Sequence, residues 1–207
     1  MKFVIKYFLN KILCIFQRVK YRFLFYGMKI DPWHLNGTFY CRQYKIKTLE
    51  IINFIKPNYY IDIGCGLGEV LNKVKLKSTN KFGFDIDKRL FPAIQKTKYK
   101  FYFSNNKKEF FNILKENVKG NNNKIVVSLL GFSHKLNGKK LFQLLNDLKK
   151  ILGPYILITD SVYNKSSEYK YSHKNFLDKQ ENIIRYIDRI DKVRSLYCIS
   201  FENSIIE

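Results

Sequence analysis

The chain has 207 residues, a formal net charge of +21 and 46% hydrophobic residues. This length suits one ordinary domain, and the composition excludes a disordered chain, a collagen-like repeat and a polytopic membrane protein. The charge has two explanations, affinity for a polyanion or the lysine- and asparagine-rich codon usage of an AT-rich genome. Charge alone therefore does not identify a partner.

Residues 1–40 are predicted to form a helical extension ahead of a domain over 41–207. Bulky apolar side chains alternate with lysines and arginines over residues 1–26, and no uncharged run reaches the ~18 residues of a membrane span. The lysines also interrupt the apolar region that a signal peptide needs. Two interpretations remain: an amphipathic helix at the surface of an anionic membrane, or a helix that packs over the domain and closes its substrate cleft.

Four cysteines are scattered along the chain without paired spacing: Cys14, Cys41, Cys65 and Cys198. Zinc knuckles and disulfide-stapled domains show closely spaced cysteines. We therefore expect neither a structural zinc nor a disulfide framework. This cysteine usage is typical of a protein of the reducing cytoplasm.

After residue 40 the chain alternates helical and strand-like segments, which is the pattern of a parallel α/β sheet. Strands are predicted at 59–63, 81–86, 99–103, 125–130 and 155–159. Helices are predicted from about 44 to the stop at Pro57 and at 69–76, 88–96 and 139–152, with a turn at 119–123. In the tail from Ser172 we expect a helix to about Ile187 and then a strand over 193–200.

A glycine-rich turn directly follows the first of these strands and is the most informative stretch, Ile61-Asp62-Ile63-Gly64-Cys65-Gly66-Leu67-Gly68-Glu69. Glycines at this place let a ligand approach the backbone closely. Glu69 stands where the dinucleotide fingerprint needs its third glycine. Asp62 and Glu69 flank the turn and would repel a diphosphate, whereas they suit a ligand that carries an ammonium and a sulfonium group. The turn therefore favours S-adenosylmethionine over NAD.

The second strand ends at Asp85, where a carboxylate can accept hydrogen bonds from both hydroxyls of a ribose. Together, the turn and Asp85 resemble the motifs of class I S-adenosylmethionine-dependent methyltransferases, whose first motif reads (D/E)xGxGxG and whose second strand ends in an acidic residue. The resemblance covers about residues 44–160. It implies an α/β fold, a Rossmann-like sheet with helices on both faces, and S-adenosylmethionine as the cofactor.

The same resemblance implies roles for individual residues. The cofactor would contact Asp62 at the methionine ammonium, Gly64, Cys65, Gly66 and Gly68 in the turn, Asp85 at the ribose and Ile86 beside the adenine. Methyl transfer to a hydroxyl also needs aligned reactants and a group that removes the proton. His134, after the fourth strand, is the leading candidate for this base and Asp160, at the end of the fifth, is the second. His173 and His34 are weaker candidates.

Each candidate base also has a structural interpretation. His134 can serve as a loop residue that caps a turn, and Asp160 as a turn residue. Metal-dependent O-methyltransferases cluster carboxylates near the fourth and fifth strands, where this chain offers Asp160 without an acidic neighbour, so no metal is expected. Amino-methylating members of the family carry (N/D)PP(Y/F) after the fourth strand, where this chain reads Ser128-Leu129-Leu130-Gly131. Methylation of adenine N6 is therefore not expected.

A second distinctive string precedes the glycine turn: Asp31-Pro32-Trp33-His34, followed by Arg42-Gln43-Tyr44. With the turn, it resembles small bacterial methyltransferases that modify sugars in capsule and lipopolysaccharide biosynthesis. Trp33 would then form an aromatic wall for a sugar, unless it is a core anchor, and Arg42 would reach the methionine carboxylate or an anionic acceptor. The lysine-rich composition suits a sugar-nucleotide or phosphate-bearing acceptor.

The sequence thus predicts a cytoplasmic enzyme that O-methylates a precursor of a surface polysaccharide. Two alternatives stay open. One is an RNA methyltransferase, favoured by the net charge although the chain has no recognisable RNA-binding appendage. The other is a catalytically silent binding subunit that keeps the methyltransferase fold. Peripheral contact with the inner membrane through the first helix is a further open interpretation.

Overall fold

A computed structural model describes residues 2–30, 32–36, 38–90, 94, 99–103, 106–118, 123–166 and 169–202, with backbone alone for 2–7 and 32–33. Part of what the sequence predicts lies outside these residues: most of the helix at 88–96, most of the turn at 119–123, Asp31 and the side chain of Trp33. The described part of 88–96 begins with a single 3-10 turn, Lys88–Leu90.

The described α-helices are α1 (Lys2–Leu24), α2 (Pro32–Asn36), α3 (Gln43–Ile55), α4 (Glu69–Lys73), α5 (Lys107–Asn117), α6 (Gly138–Leu152) and α7 (Lys174–Asp178). The described strands are β1 (Tyr59–Ile63), β2 (Lys81–Asp85), β3 (Lys100–Phe103), β4 (Ile125–Leu129), β5 (Tyr155–Val162), β6 (Ile183–Ile187) and β7 (Arg194–Phe201). Two short 3-10 helices, Phe39–Cys41 and Ser133–Lys135, lie near the site described below.

The strands in the described part of the chain form one sheet in the order β3-β2-β1-β4-β5-β7-β6. Strands β1 to β5 are parallel, and β7 runs antiparallel between β5 and β6. The strand order reverses at β1, because the chain continues to β2 on one side and later returns to β4 on the other. Open α/β sheets bind their ligands outside the carboxyl ends of the strands at such a switch point, which is where the glycine turn lies.

Helices cover both faces of the sheet. On one face α6 buries Leu145 against Ile61 of β1. On the other face α3 and α4 bury Ile52 and Leu71 against Tyr60, the neighbour of Ile61. Alternate strand residues thus enter opposite layers, as the pleat of a strand requires. The α/β sheet with helices on both faces that the sequence predicts is the observed architecture.

The helix predicted from Ser172 to about Ile187 is wrong beyond Asp178. Residues Ile183–Ile187 form the edge strand β6 and pair antiparallel with β7. Adjacent β-branched residues such as Ile183 and Ile184 favour an extended backbone, and the hydrogen bonds to β7 fix that choice. The strand predicted over 193–200 is confirmed as β7.

The expectation that the cysteines stay unpaired is wrong for two of them. Cys14 and Cys41 form a disulfide with an S–S distance of 2.01 Å and a Cα–Cα distance of 5.1 Å. The two residues are 27 positions apart in the sequence and meet because α1 packs against the 3-10 turn Phe39–Cys41. Sequence spacing cannot show such a long-range contact. Cys65 and Cys198 are free thiols.

Candidate cofactor and substrate cavity

A cavity of about 1510 Å³ lies at the carboxyl edge of the sheet. Its lining includes residues at or just past the ends of three central strands, Ile63 for β1, Asp85 for β2 and Leu130 for β4. Pockets for one small molecule measure ~300–1,000 Å³, so this cavity has room for two ligands. One half of the lining contains the glycine turn and the other contains the segment after β4, and the two halves meet where Phe132 lies against Gly64.

The glycine turn adopts a backbone that other residues rarely take. Gly64, Gly66 and Gly68 have φ angles of +72°, +54° and +60°. A Cβ on Gly64 would lie 2.8 Å from the Cβ of Phe132, and one on Gly66 would lie 3.0 Å from the ring of His34. Both the positive φ and the close neighbours therefore require glycine here.

Asp85 braces this turn from the end of β2. One of its carboxylate oxygens accepts a hydrogen bond from the amide of Gly66 at 2.8 Å, and the other accepts one from the amide of Asp87 at 3.0 Å. Each oxygen has a second lone pair, so Asp85 can still accept a hydrogen bond from a ligand in the cavity. The next residue, Ile86, also lines the cavity and is 69% exposed, which leaves an apolar surface at its rim.

Asp62 is a buried carboxylate in the cavity wall. The hydroxyl of Ser128 donates to its Oδ1 at 2.6 Å, and the same hydroxyl lies 2.8 Å from the phenol oxygen of Tyr60. Burial raises the pKa of Asp62 to about 6, although the Ser128 hydrogen bond and the charge of Lys45 oppose this rise. In the sequence, Ser128 is notable only as the start of the segment that stands in place of an amino-methylation motif. The structure shows that its hydroxyl hydrogen-bonds to Asp62.

Glu69 lines the cavity beside the glycine turn, and its carboxylate is held by residues of the fold. Its Oε2 forms a 2.7 Å ion pair with Lys45 of α3, and its Oε1 accepts hydrogen bonds from Gln17 and Tyr21 of α1, each at 3.2 Å. The carboxylate is thus neutralised by Lys45 and joins α1 and α3 to the start of α4. The negative charge beside the turn comes from Asp62 and Asp85.

His134 lies in the 3-10 turn after β4 and lines the cavity there. Burial lowers the pKa of His134 to about 4, even though the charge of Asp160 acts in the opposite direction. The imidazole is therefore neutral at pH 7. His173 lies beneath the same turn, where its Nε2 is 2.9 Å from the carbonyl oxygen of Ser133, so its contacts are with the fold.

Asp160, the second candidate base, is buried and has partners within the fold. Its Oδ1 accepts a hydrogen bond from the amide of Gly131 at 2.6 Å, and its Oδ2 forms a 2.8 Å ion pair with Arg194. The guanidinium of Arg194 is itself buried, also pairs with Asp191 at 3.1 Å and lies 4.5 Å from the centre of the Tyr44 ring. Asp160 therefore holds the loop after β4 in place, and we assign it a positioning role.

Besides Lys45, three lysines line the cavity: Lys107, Lys135 and Lys140. Lys107 and Lys140 lie in the first turns of α5 and α6, where the helix dipoles add partial positive charge. Lys107 also forms a 2.6 Å ion pair with Asp147. Sequence reasoning did not single out these lysines among the many in the chain, because only the fold determines which of them reach the cavity.

The string upstream of the glycine turn also reaches the cavity. His34 of α2 lies against Gly66, and Arg42 and Tyr44 line the wall nearby. Sequence reasoning ranked His34 as a weak base, whereas its position places it beside the glycine turn. Among the side chains that the structure describes, no group of three or more His, Cys, Asp or Glu residues is arranged to hold a metal ion.

Comparison with known proteins identifies the fold. No model of a protein family matches the chain, and no curated protein matches it. A solved structure of a putative methyltransferase from Thermobifida fusca superposes with a TM-score of 0.57 at 10% identity, covering 76% of this chain and 78% of that one. The methyltransferase domain of bacterial CtHen1 gives a TM-score of 0.55 at 13% identity, covering 77% of this chain and 98% of that domain.

A third neighbour, the small RNA methyltransferase HEN1, superposes with a TM-score of 0.52 at 12% identity and covers 80% of this chain but 26% of that one. At these identities the similarity establishes the fold. The chain therefore has a Rossmann-like methyltransferase fold with an N-terminal helix, which confirms the fold class predicted from the glycine turn and Asp85.

Proposed function

We propose that the protein is an S-adenosylmethionine-dependent methyltransferase that methylates an oxygen of an anionic acceptor, specifically a sugar-nucleotide or phosphate-bearing precursor of a bacterial surface polysaccharide. The observation that carries the proposal is a single cavity at the switch point of a methyltransferase-type sheet. The half at the glycine turn presents Asp62 and Asp85 beside Lys45, which is paired with Glu69, and the other half presents Lys135, Lys140 and a neutral His134.

The first half fits S-adenosylmethionine better than a dinucleotide. The glycines leave no Cβ in the turn, and the nearby negative charge would attract an ammonium and a sulfonium group but repel a diphosphate. Asp62 would face the ammonium, Asp85 would accept hydrogen bonds from the ribose, and Ile86 would cover the adenine. The cofactor, when bound, supplies an electrophilic methyl group.

The second half fits an anionic acceptor with a hydroxyl group. Lys135 and Lys140 would hold a phosphate, because ammonium groups bind phosphate oxygens through charge-assisted hydrogen bonds. His134 would accept the hydroxyl proton, since its imidazole is neutral at physiological pH. Asp160 and Arg194 would keep the loop that carries His134 in a fixed position relative to the cofactor half.

Calorimetric titration with S-adenosylmethionine, S-adenosylhomocysteine and NAD tests the cofactor assignment. We expect micromolar affinity for the first two and no binding of NAD. Asp85→Ala should weaken the affinity by about 1.5–3 kcal/mol, the contribution of a hydrogen bond to a charged group. Failure of the wild-type protein to bind either sulfur compound would overturn the proposal.

A methyl-transfer screen then distinguishes the acceptors. Labelled S-adenosylmethionine is incubated with nucleotide sugars, polysaccharide precursors and RNA, and incorporation of label is measured. Transfer to a nucleotide sugar or to a phosphate-bearing precursor is the expected result. Tight cofactor binding without transfer to any acceptor would instead support the catalytically silent binding subunit.

Methylation of RNA is the second candidate function. It is supported by the structural neighbour HEN1, which acts as a small RNA methyltransferase, and by the net charge of +21. Lysine contacts to a phosphate backbone make affinity fall steeply with salt concentration. Labelled RNA in the screen, with binding that weakens steeply as salt is raised, would select this function over the first.

Cofactor affinity is expected to fall about tenfold for each pH unit below about pH 6. The pKa of Asp62 is raised to about 6 by burial, so below that pH the carboxylate becomes protonated and no longer attracts the ammonium. Titration calorimetry across this range measures the effect.

Ser128→Ala removes the hydrogen bond that favours the ionised form of Asp62, so the fall in cofactor affinity should begin at a higher pH. Asp62→Asn should bind weakly at every pH, and a wild-type affinity that is independent of pH would contradict the role of Asp62.

A further inference from the structure

Helix α1 presents an apolar face to solvent. Phe8, Ile15, Phe16, Val19 and Phe23 are all exposed, Phe16 at 69% and Phe23 at 79%. At 3.6 residues per turn these five residues fall on one stripe of the helix, and we call this stripe the outward face. Large apolar side chains grouped in this way mark an interaction surface.

The opposite side of α1 is fixed to the domain, so the helix cannot rotate to bury the outward face. Cys14 is bonded to Cys41, and Gln17 and Tyr21 donate hydrogen bonds to Glu69. Just beyond the helix, Phe25 is buried in a small apolar cluster. The helix therefore packs on the domain, as one interpretation of the sequence expected, and still leaves an apolar stripe uncovered.

Basic side chains border the outward face. In helical projection Lys11 and Arg22 lie along one edge of the stripe and Lys20 lies along the other, and all three are exposed. This arrangement complements a surface that is apolar inside and negatively charged outside. A second copy of the chain fits less well, because it would bring the same cations, and a second net charge of +21, against the first.

We propose that the outward face of α1 binds the surface of an anionic lipid bilayer. The aromatic and aliphatic side chains would enter the boundary between headgroups and acyl chains, and the lysine and arginine side chains would reach the lipid phosphates. The helix would lie in the plane of the membrane. Among the residues that the structure describes, no helix is long and apolar enough to cross one. This surface is separate from the cavity, so the proposal does not depend on the proposed enzymatic function.

Co-sedimentation with vesicles tests this proposal on the full chain. The probes are vesicles of phosphatidylcholine alone and of phosphatidylcholine mixed with phosphatidylglycerol. We expect binding to the mixed vesicles that weakens as salt is raised, and at least a tenfold loss of binding for the double variant Phe16→Glu, Phe23→Glu. The matched control is Phe54→Glu, because Phe54 is 82% exposed on α3, outside the outward face, and should bind vesicles like the wild type.

Circular dichroism melting shows whether each variant is folded. Neither this measurement nor the vesicle assay uses the cofactor, so both remain valid if the proposed cofactor assignment is wrong. Wild-type protein that stays in the supernatant with both kinds of vesicle would overturn the proposal. So would a folded double variant that sediments like the wild type. The wild type could instead be a dimer that binds no vesicles, while the double variant is a monomer. That result would assign the outward face to a second copy of the chain.

Discussion

Replacing Asp160 with alanine is expected to lower the free energy of unfolding by about 3–5 kcal/mol, since the change removes the buried counter-ion of Arg194 and leaves it only the partly exposed Asp191. Arg194 is 0% exposed and Asp160 is 1% exposed, so water cannot solvate the guanidinium once the carboxylate is gone. The amide of Gly131 also loses its acceptor. A loss of this size is a large part of the ~5–15 kcal/mol that stabilises a typical domain.

Chemical denaturation of purified protein measures this loss. The control is Glu50→Ala, which removes a 2.7 Å ion pair between Glu50 and Lys47 on the surface of α3 and should cost less than about 1 kcal/mol. Combining Asp160→Ala with Arg194→Met removes both buried charges and should recover much of the stability. If Asp160→Ala destabilises the protein no more than Glu50→Ala does, the positioning role of Asp160 is wrong.

The parts of the fold that could be predicted from the sequence are those that local signals determine. The strand at Tyr59–Ile63 and the glycines that follow it specify a strand, a tight turn and a helix within a few residues, and the structure forms this unit with the predicted strand bounds. Asp85 could be placed at the same edge for a similar reason, because it ends the next parallel strand. The half of the cavity at the glycine turn is therefore largely predictable.

The half of the cavity after β4 depends on long-range pairing, which a single sequence does not reveal. Asp160 and Arg194 are 34 residues apart and meet because β5 and β7 pair antiparallel. The strand β6 completes that edge where the sequence suggested a helix, and the Cys14–Cys41 bond depends on how α1 packs. Asp160 shows the same limit. Its position at the end of a strand was predictable, but its partner Arg194 was not.

Replacing His134 with alanine is expected to lower turnover by about 10²–10⁴-fold, the usual contribution of general base catalysis, with little change in cofactor affinity. His134 lines the cavity in the segment after β4 and is not part of the glycine turn. Because burial lowers its pKa to about 4, its imidazole is already in the base form throughout the physiological range. At saturating S-adenosylmethionine, which removes the effect of Asp62 on cofactor affinity, the turnover of the wild type should therefore show no acid limb near pH ~6.5, the ordinary pKa of histidine. It should fall only as the pH approaches 4.

Two measurements separate proton transfer from a merely structural role of His134. His134→Gln keeps a polar side chain of similar size in the turn but cannot take up a proton as imidazole does, so its turnover should stay as low as that of the alanine variant. Calorimetric titration of both variants with S-adenosylmethionine should give the wild-type affinity, because the loss lies in the chemical step. Undiminished turnover in His134→Ala, or turnover restored by glutamine, would assign His134 to holding the loop and leave the proton to another acceptor.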